Sequence, residues 1–405
     1  LRRSSAASDV YKRQLQQSTP PTPGQAEKQP LVLPIAVALV GEQGRIGDEQ
    51  LLVMNAEKAS FTLQAEPGPE APALSLLRRF SAPVNVQLEQ PLQESLQLLA
   101  HDDDPFSRWD AGQRLARQVL LARAADQPDA TVETALISAL RQRLSAYGGS
   151  GGQDLAILLA LPGTAELEAL QNPVDPLALY AARREWIADL GRHLSEPLHR
   201  LLERCRGDWA QAWPEGQGAR SLTGLAWAWL AAAGDAEARQ QALEAVSGPS
   251  MTLARAALRA LQPLEVGERD QALERFYQRW QDKPVILDAW FSLEASAPRQ
   301  DGLQRVKDLL EHPRFDPLAP NSLRAVLGGF TANVPVFHAI DGSGYRFMAD
   351  QIAAVDARNP ITASRMAKVF SRWSSYGPER QSAMRQAIDG LAAADLSANL
   401  SLIHI

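Results

Sequence analysis

Six histidines are the side chains best suited to metal or proton chemistry: His101, His193, His199, His312, His338 and His404. None belongs to an H-E-x-x-H, the i, i+4 spacing that sets two imidazoles on one helix face around zinc. His193 and His199 lie six positions apart, which puts them on different faces of a helix. The run His101-Asp-Asp-Asp104 offers metal-capable groups, but at the end of a helical segment it reads as a charged cap. His338 and Asp341, close to Ser343, suggest a hydrolase triad. No strand–turn–helix elbow surrounds that serine, so the triad is not adopted. Cys205 stands between Arg204 and Arg206, charges that would lower a thiol's pKa, yet no positioned base accompanies it; it reads as a structural thiol. No residue is assigned a catalytic or metal-binding role.

Other features are read as architecture. Trp209, Trp213, Trp227, Trp229, Trp280 and Trp290 fall at positions expected to pack between helices. Gly148-Gly-Ser-Gly-Gly152 lacks the Lys-Ser/Thr of a phosphate loop and reads as a flexible linker. Asp341-Gly-Ser-Gly-Tyr345 reads as a specified loop, with Gly342 and Gly344 free to take positive φ and Tyr345 opening an amphipathic helix through Phe347, Met348 and Ile352. Asn359-Pro360 is a helix start, because Asn caps and Pro fits the first turn. That places Arg365 about one and a half turns into a helix.

The elements that would carry these residues change character once along the chain. Residues 15–90 hold short apolar or alternating runs with Gly/Pro punctuation: Leu31–Val40, Gln50–Met54, Ala59–Gln64, Leu74–Phe80 and Val84–Leu88. These predict a small β-sandwich, truncated at its start, with Pro34 marking an edge strand or a bulge. Residues 91–400 follow a period of 3.6, with Leu92, Leu96 and Leu99 on the first face. Recurrent Gly/Pro breaks predict many antiparallel helices joined by short loops, a bundle or a curved, HEAT/ARM-like α-solenoid. The fold class is therefore mainly α, a small β domain followed by a large all-α domain. Residues 1–14 and 401–405 carry no patterned apolar face. They resemble translated sequencing-adapter read-through and are expected to be non-native tails.

Composition narrows the function classes. A formal net charge of −6, with basic residues interleaved among acids, gives no concentrated basic surface, so no nucleic-acid partner is expected. No apolar run reaches the roughly 18 residues of a membrane span. A single cysteine in 405 residues excludes an intramolecular disulfide framework and fits a cytoplasmic location.

Several segments, in order, resemble one family. Thr19–Pro30, Phe80-Ser-Ala-Pro-Val84 and Asp104-Pro-Phe-Ser-Arg-Trp-Asp-Ala111 come first. Phe337-His-Ala-Ile-Asp-Gly-Ser-Gly-Tyr345, Asn359-Pro-Ile-Thr-Ala-Ser-Arg365 and Glu379-Arg-Gln-Ser-Ala-Met-Arg385 follow. Together they resemble bacterial aminopeptidase N, the alanyl aminopeptidase branch of the M1 zinc metallopeptidases. The resemblance implies four domains in the parent protein, of which this chain is the third, truncated, and the fourth, a helical superhelix. The family's H-E-x-x-H and G-A-M-E-N motifs are absent. Zinc and its chemistry are thus implied for the parent protein, no cofactor is expected in this chain, and the chain is expected to be inactive alone. The implied partners are the missing catalytic domain and peptide substrates, which the helical domain encloses in a cavity. Arg365 matches a family arginine facing that cavity; a neighbouring family position that is often polar is Ile361 here. The competing reading is a stand-alone helical scaffold binding partner proteins.

Overall fold

The computed structural model describes residues 10–64, 71–394 and 396–401. The chain divides into two compact units. The first contains the described residues up to 119, with 129–146 and 154–161; the second contains 120–128, 147–153 and the described residues from 162 onward.

Five strands open the first unit: β1 Val10–Gln16, β2 Leu33–Gly41, β3 Gly44–Met54, β4 Lys58–Gln64 and β5 Ala73–Leu76. They form two sheets, β1-β4 and β3-β2-β5, with antiparallel pairing throughout. Side chains from both sheets share one core: Leu15 and Leu63 from the first, and Val37, Leu39, Met54 and Leu74 from the second. β2 is buried almost along its length because it is the central strand of three. Of the two expectations for Pro34, the edge strand fails, while β2 does carry a bulge-like register shift three residues on, between Val37 and Leu39. Pro34 is tolerated because β5 pairs only with residues 37–40 of β2, leaving one flank of the strand without a ladder at Pro34.

Two further expectations fail here. Residues 10–14 do not behave as a tail: they pair with β4, from Val10 opposite Gln64 to Gln14 opposite Ser60. A ladder is built from backbone groups, so a segment without apolar patterning can join it. Residues 1–9 and 402–405 of the expected tails lie outside the described residues, and Ser401 closes a four-residue helix. Val84–Leu88 alternates in sequence but forms no strand.

Four helices accompany the sheets: α1 Leu92–His101, most of α2 Pro105–Ala124, α3 Ala130–Ser145 and α4 Gly152–Leu159. α1 packs against β2, β5 and α3. Its buried face is partly polar, and Gln97 donates from Nε2 to the Val40 carbonyl at 3.0 Å, satisfying a strand oxygen at the helix contact.

The second unit is all-helical: α5 Thr164–Ala169, α6 Pro176–His193, α7 Ser195–Arg206, α8 Gln217–Ala232, α9 Ala236–Val246, α10 Met251–Leu261, α11 Gly267–Trp280, α12 Pro284–Ser296 and α13 Gly302–Leu310. Then come α14 Pro320–Leu323, α15 Gly329–Ala332, α16 Val334–Phe337, α17 Ser343–Asp356, α18 Pro360–Ala367, α19 Pro378–Ala392 and α20 Ala398–Ser401. The Gly/Pro breaks fall between helices. Asp175, Asp235, Ser250 and Asn359 each cap the helix that follows with a side-chain oxygen. Helices pack on their neighbours in sequence, α8 against α6, α7, α9 and α10, and α17 against α18 and α19. α10 shows why: Leu253, Ala254, Ala257, Leu258 and Leu261 recur at helical spacing and are all buried. Each such leucine contributes about 1.5–3 kcal/mol of burial.

Within this unit the end of the chain returns to its beginning. Val174, just before α6, forms a parallel bridge with Tyr376, and the Val174 amide donates to the Ser375 carbonyl at 2.8 Å. Arg372 bonds the side chain and carbonyl of Glu168, Arg380 pairs with Asp175 at 3.8 Å, and α16 packs on α6.

Candidate functional site

Arg365 sits on α18 as its sequence predicts. The Asn359 side chain accepts from the Thr362 amide at 3.0 Å, with Pro360 in the first turn, so the helix begins where expected. Thr362, Ala363 and Ala367 turn inward, leaving Ile361, Arg365 and Lys368 on the exposed side. Arg358, just before the cap, is also exposed. Among the described residues the Arg365 guanidinium has no side-chain hydrogen bond or ion pair. Its planar fork of donors is therefore unspent and suited to carbonyls or a carboxylate.

The loop that carries the strongest sequence match is built from the inside. Gly342 takes φ +69°, and a Cβ on Gly344 would lie 2.4 Å from the Phe337 carbonyl oxygen, so α17 starts hard against α16. Tyr345 is fully buried and its hydroxyl lies 2.8 Å from Nδ1 of His338. His338 packs on Phe337 and Tyr376, and Arg380 donates from Nε to its carbonyl at 3.3 Å. Burial, followed by the nearby Arg380 charge, pushes the His338 imidazole down to about 3, so the ring is neutral across the physiological range. Asp341 is not its partner. That carboxylate accepts from the Ser343 amide at 2.9 Å, so no triad forms, and the residues of the two motifs at 337–345 and 379–385 interlock around a packed histidine.

The acidic run resolves into an arginine site. Arg78 is buried, and its guanidinium donates to Glu49 at 2.9 Å, to Ser75 at 2.9 Å, to Asp102 at 2.7 Å and to Asp103. Asp104 accepts from the Arg79 amide and from both the amide and hydroxyl of Ser107, capping α2. Leu77, Arg79 and Phe80 all have φ near +55°, a backbone conformation costly for side chains of this size. Sequence reasoning missed this cluster, because Leu74–Phe80 reads as a strand; the signal was the pair of arginines interrupting an apolar run.

The remaining candidates are structural. Cys205 is buried, and desolvation pushes its thiol up to about 11, the opposite of an activated nucleophile. Trp227, Trp229 and Trp290 are core residues, and Trp209 donates to Thr223 at 2.8 Å while lying edge-on to Trp227. Trp213 departs from the packing expectation and is 75% exposed. Among the described residues no three His, Cys, Asp or Glu side chains gather to hold a metal ion, and no helix is long and apolar enough to cross a membrane.

Comparison with known proteins follows the same two-part order. A family model described as a domain of unknown function (DUF3458) with an Ig-like fold matches residues 3–89, and one described as a domain of unknown function (DUF3458_C) with ARM repeats matches residues 92–403. Aminopeptidase N of Caulobacter vibrioides is 36% identical over 376 residues, which is 88% of this chain and 42% of that protein. Aminopeptidase N of Escherichia coli is 31% identical over 396 residues, covering 95% of this chain and 45% of that protein. Among solved structures, Legionella pneumophila aminopeptidase A, crystallised with aspartic acid, superposes with a TM-score of 0.83 at 26% identity, over 96% of this chain and 46% of that one. The chain thus spans less than half the length of the relatives it matches.

Proposed function

The chain belongs to the aminopeptidase N family through its ARM-repeat DUF3458_C region, and from that premise we propose that it is the carboxy-terminal, non-catalytic portion of a zinc-dependent aminopeptidase. The observation that carries this reading is one continuous match to single relatives across both the β and the helical parts. Zinc in such an enzyme polarises a water for attack on the peptide carbonyl. The residues present here do not fit that metal: the sequence has no H-E-x-x-H, and no ligand set converges among the described residues, so no step of the reaction is routed through this chain.

Its contribution is enclosure. The helical part roofs the catalytic domain and bounds a cavity that admits peptides. The return of Ser375–Tyr376 to Val174 supports this, because a solenoid pinned end to beginning holds a fixed opening. Arg365 meets the downstream part of a bound peptide, and its exposed, unpaired fork supports that role; Ile361 beside it offers an apolar contact where a polar one is common. The protein works in the cytoplasm, where the lone buried thiol of Cys205 needs no partner.

The test is complementation: this chain joined to the catalytic half of the Caulobacter vibrioides relative, with an alanyl anilide and alanyl peptides as substrates. Zinc-dependent cleavage by the chimera supports the reading. Failure of a folded chimera to bind or cleave either substrate favours the scaffold alternative.

A further inference from the structure

The facing sides of α13 and α17 bound a groove of about 630 Å³, a volume in the range of small-ligand sites. On α13 it is lined by Leu303, Lys307, Leu310 and Glu311, which share one helix face. On α17 Arg346, Phe347 and Asp350 do the same. The apolar lining is Leu303, Leu310 and buried Phe347, while the four charged side chains are exposed.

Those charges are unspent. Lys307 and Glu311 stand four residues apart, as do Arg346 and Asp350, the spacing at which opposite charges on one helix ordinarily pair. Neither pair forms. Among the described residues the side chains of Lys307, Glu311 and Asp350 have no hydrogen bond or ion pair, and Arg346 donates only from Nη1, to the Asp341 carbonyl at 2.8 Å. The Asp341 carboxylate is itself held by the Ser343 amide.

The charges are also sorted by sign. Both helices begin against α16: a Cβ on Gly302 would lie 2.7 Å from Cγ2 of Val336, and one on Gly344 2.4 Å from the Phe337 carbonyl oxygen. Starting together and lining one groove, α13 and α17 run the same way. Lys307 and Arg346 therefore lie towards the α16 end, with Glu311 and Asp350 one turn farther on. The step between the cationic and anionic levels is about 6 Å, four residues at a helical rise. Two residues of extended chain span about 7 Å, so the carboxylate and ammonium of a free dipeptide match that step. The lined stretch is only about 12 Å long, too short for a docked protein, which needs about 800 Å² on each partner.

We propose that this groove binds free dipeptides with apolar side chains. The carboxylate lies between Lys307 and Arg346, the ammonium between Glu311 and Asp350, and the side chains rest on Leu303, Leu310 and Phe347. The inference uses residues of this chain alone and does not rest on its enclosing role.

The test is calorimetric titration of the chain with leucyl-leucine, with its N-acetyl form, which lacks the ammonium, and with its amide, which lacks the carboxylate. Saturable heat is expected from the free dipeptide, and either cap should weaken binding about three- to fivefold, the worth of an exposed charge pair. Lys307→Gln should weaken the free dipeptide to the same extent and leave the amide unaffected; Asp350→Asn should do so and leave the N-acetyl form unaffected. Both residues are exposed and unpaired among the described residues, so both variants should keep the circular dichroism of the parent. The proposal is overturned if leucyl-leucine gives no saturable heat, if the capped forms bind as tightly as the free one, or if both variants bind it like the parent chain.

Discussion

Nη1 of Arg78 donates to the Asp102 carboxylate at 2.7 Å, and the two residues are only 3% and 1% exposed. This pair ties the end of the strand region to the turn between α1 and α2, where Glu49 and Asp103 add further carboxylates. Arg78→Ala would strand buried Asp102 without its partner. A loss of about 3–5 kcal/mol is expected in chemical unfolding, because breaking a buried pair leaves an uncompensated charge. A loss below about 1 kcal/mol would mean that water already serves these carboxylates.

His338 should make stability depend on pH. Its folded pKa is depressed to about 3 from an ordinary 6.5, so between those values the unfolded chain binds a proton that the folded chain does not. Stability therefore rises with pH across that window and is lost as pH falls from about 6.5 towards 3, by at most about 1.4 kcal/mol per pH unit for one proton. His338→Gln keeps an acceptor for the Tyr345 hydroxyl and should flatten the profile in that window. Parallel profiles for the two proteins would assign the acid sensitivity elsewhere.

The β part exposes Leu51 and Val53 on β3, an edge strand, and Leu31 and Val32 just before β2, all at least 52% accessible. Such an edge templates association. The double change Leu51→Lys, Val53→Lys should raise the concentration at which light scattering begins, with stability altered by no more than about 0.5 kcal/mol. An unchanged scattering onset would show that the patch does not drive association.

Much of the helical part was readable because its breakers are local: Asn359-Pro360, Pro298 and Gly248-Pro249 each fall between helices for reasons carried by the residues themselves. The β part was harder, since a strand needs a partner that may lie far along the chain. Val84–Leu88 alternates but finds no ladder, whereas residues 10–14 lack apolar alternation and find one in β4. The arginine cluster escaped notice for a related reason: Arg78 is inward only because Leu77 and Arg79 adopt left-handed backbone, which an apolar run does not announce. Arg365 could be placed on its helix from the cap, and its exposure followed from the neighbours that turn inward.

Arg365→Ala should leave stability within about 0.5 kcal/mol of the parent, because the side chain is exposed and unpaired among the described residues. In the chimera it should raise KM for tri- and tetrapeptides several-fold more than KM for a single-residue anilide, which does not reach so far. Equal responses would place the residue outside the peptide's path.

The most direct measurement is hydrolysis of an alanyl anilide and an alanyl tetrapeptide, with zinc present, by this chain alone and by the chain joined to the catalytic half of an aminopeptidase N. The chain alone should give no turnover above the blank, since its sequence has no H-E-x-x-H and no ligand set gathers among the described residues, while the joined protein should cleave both substrates. Zinc-dependent turnover by the chain alone, or a catalytic half whose activity towards the tetrapeptide is the same with and without this chain, would contradict an enclosing, non-catalytic role.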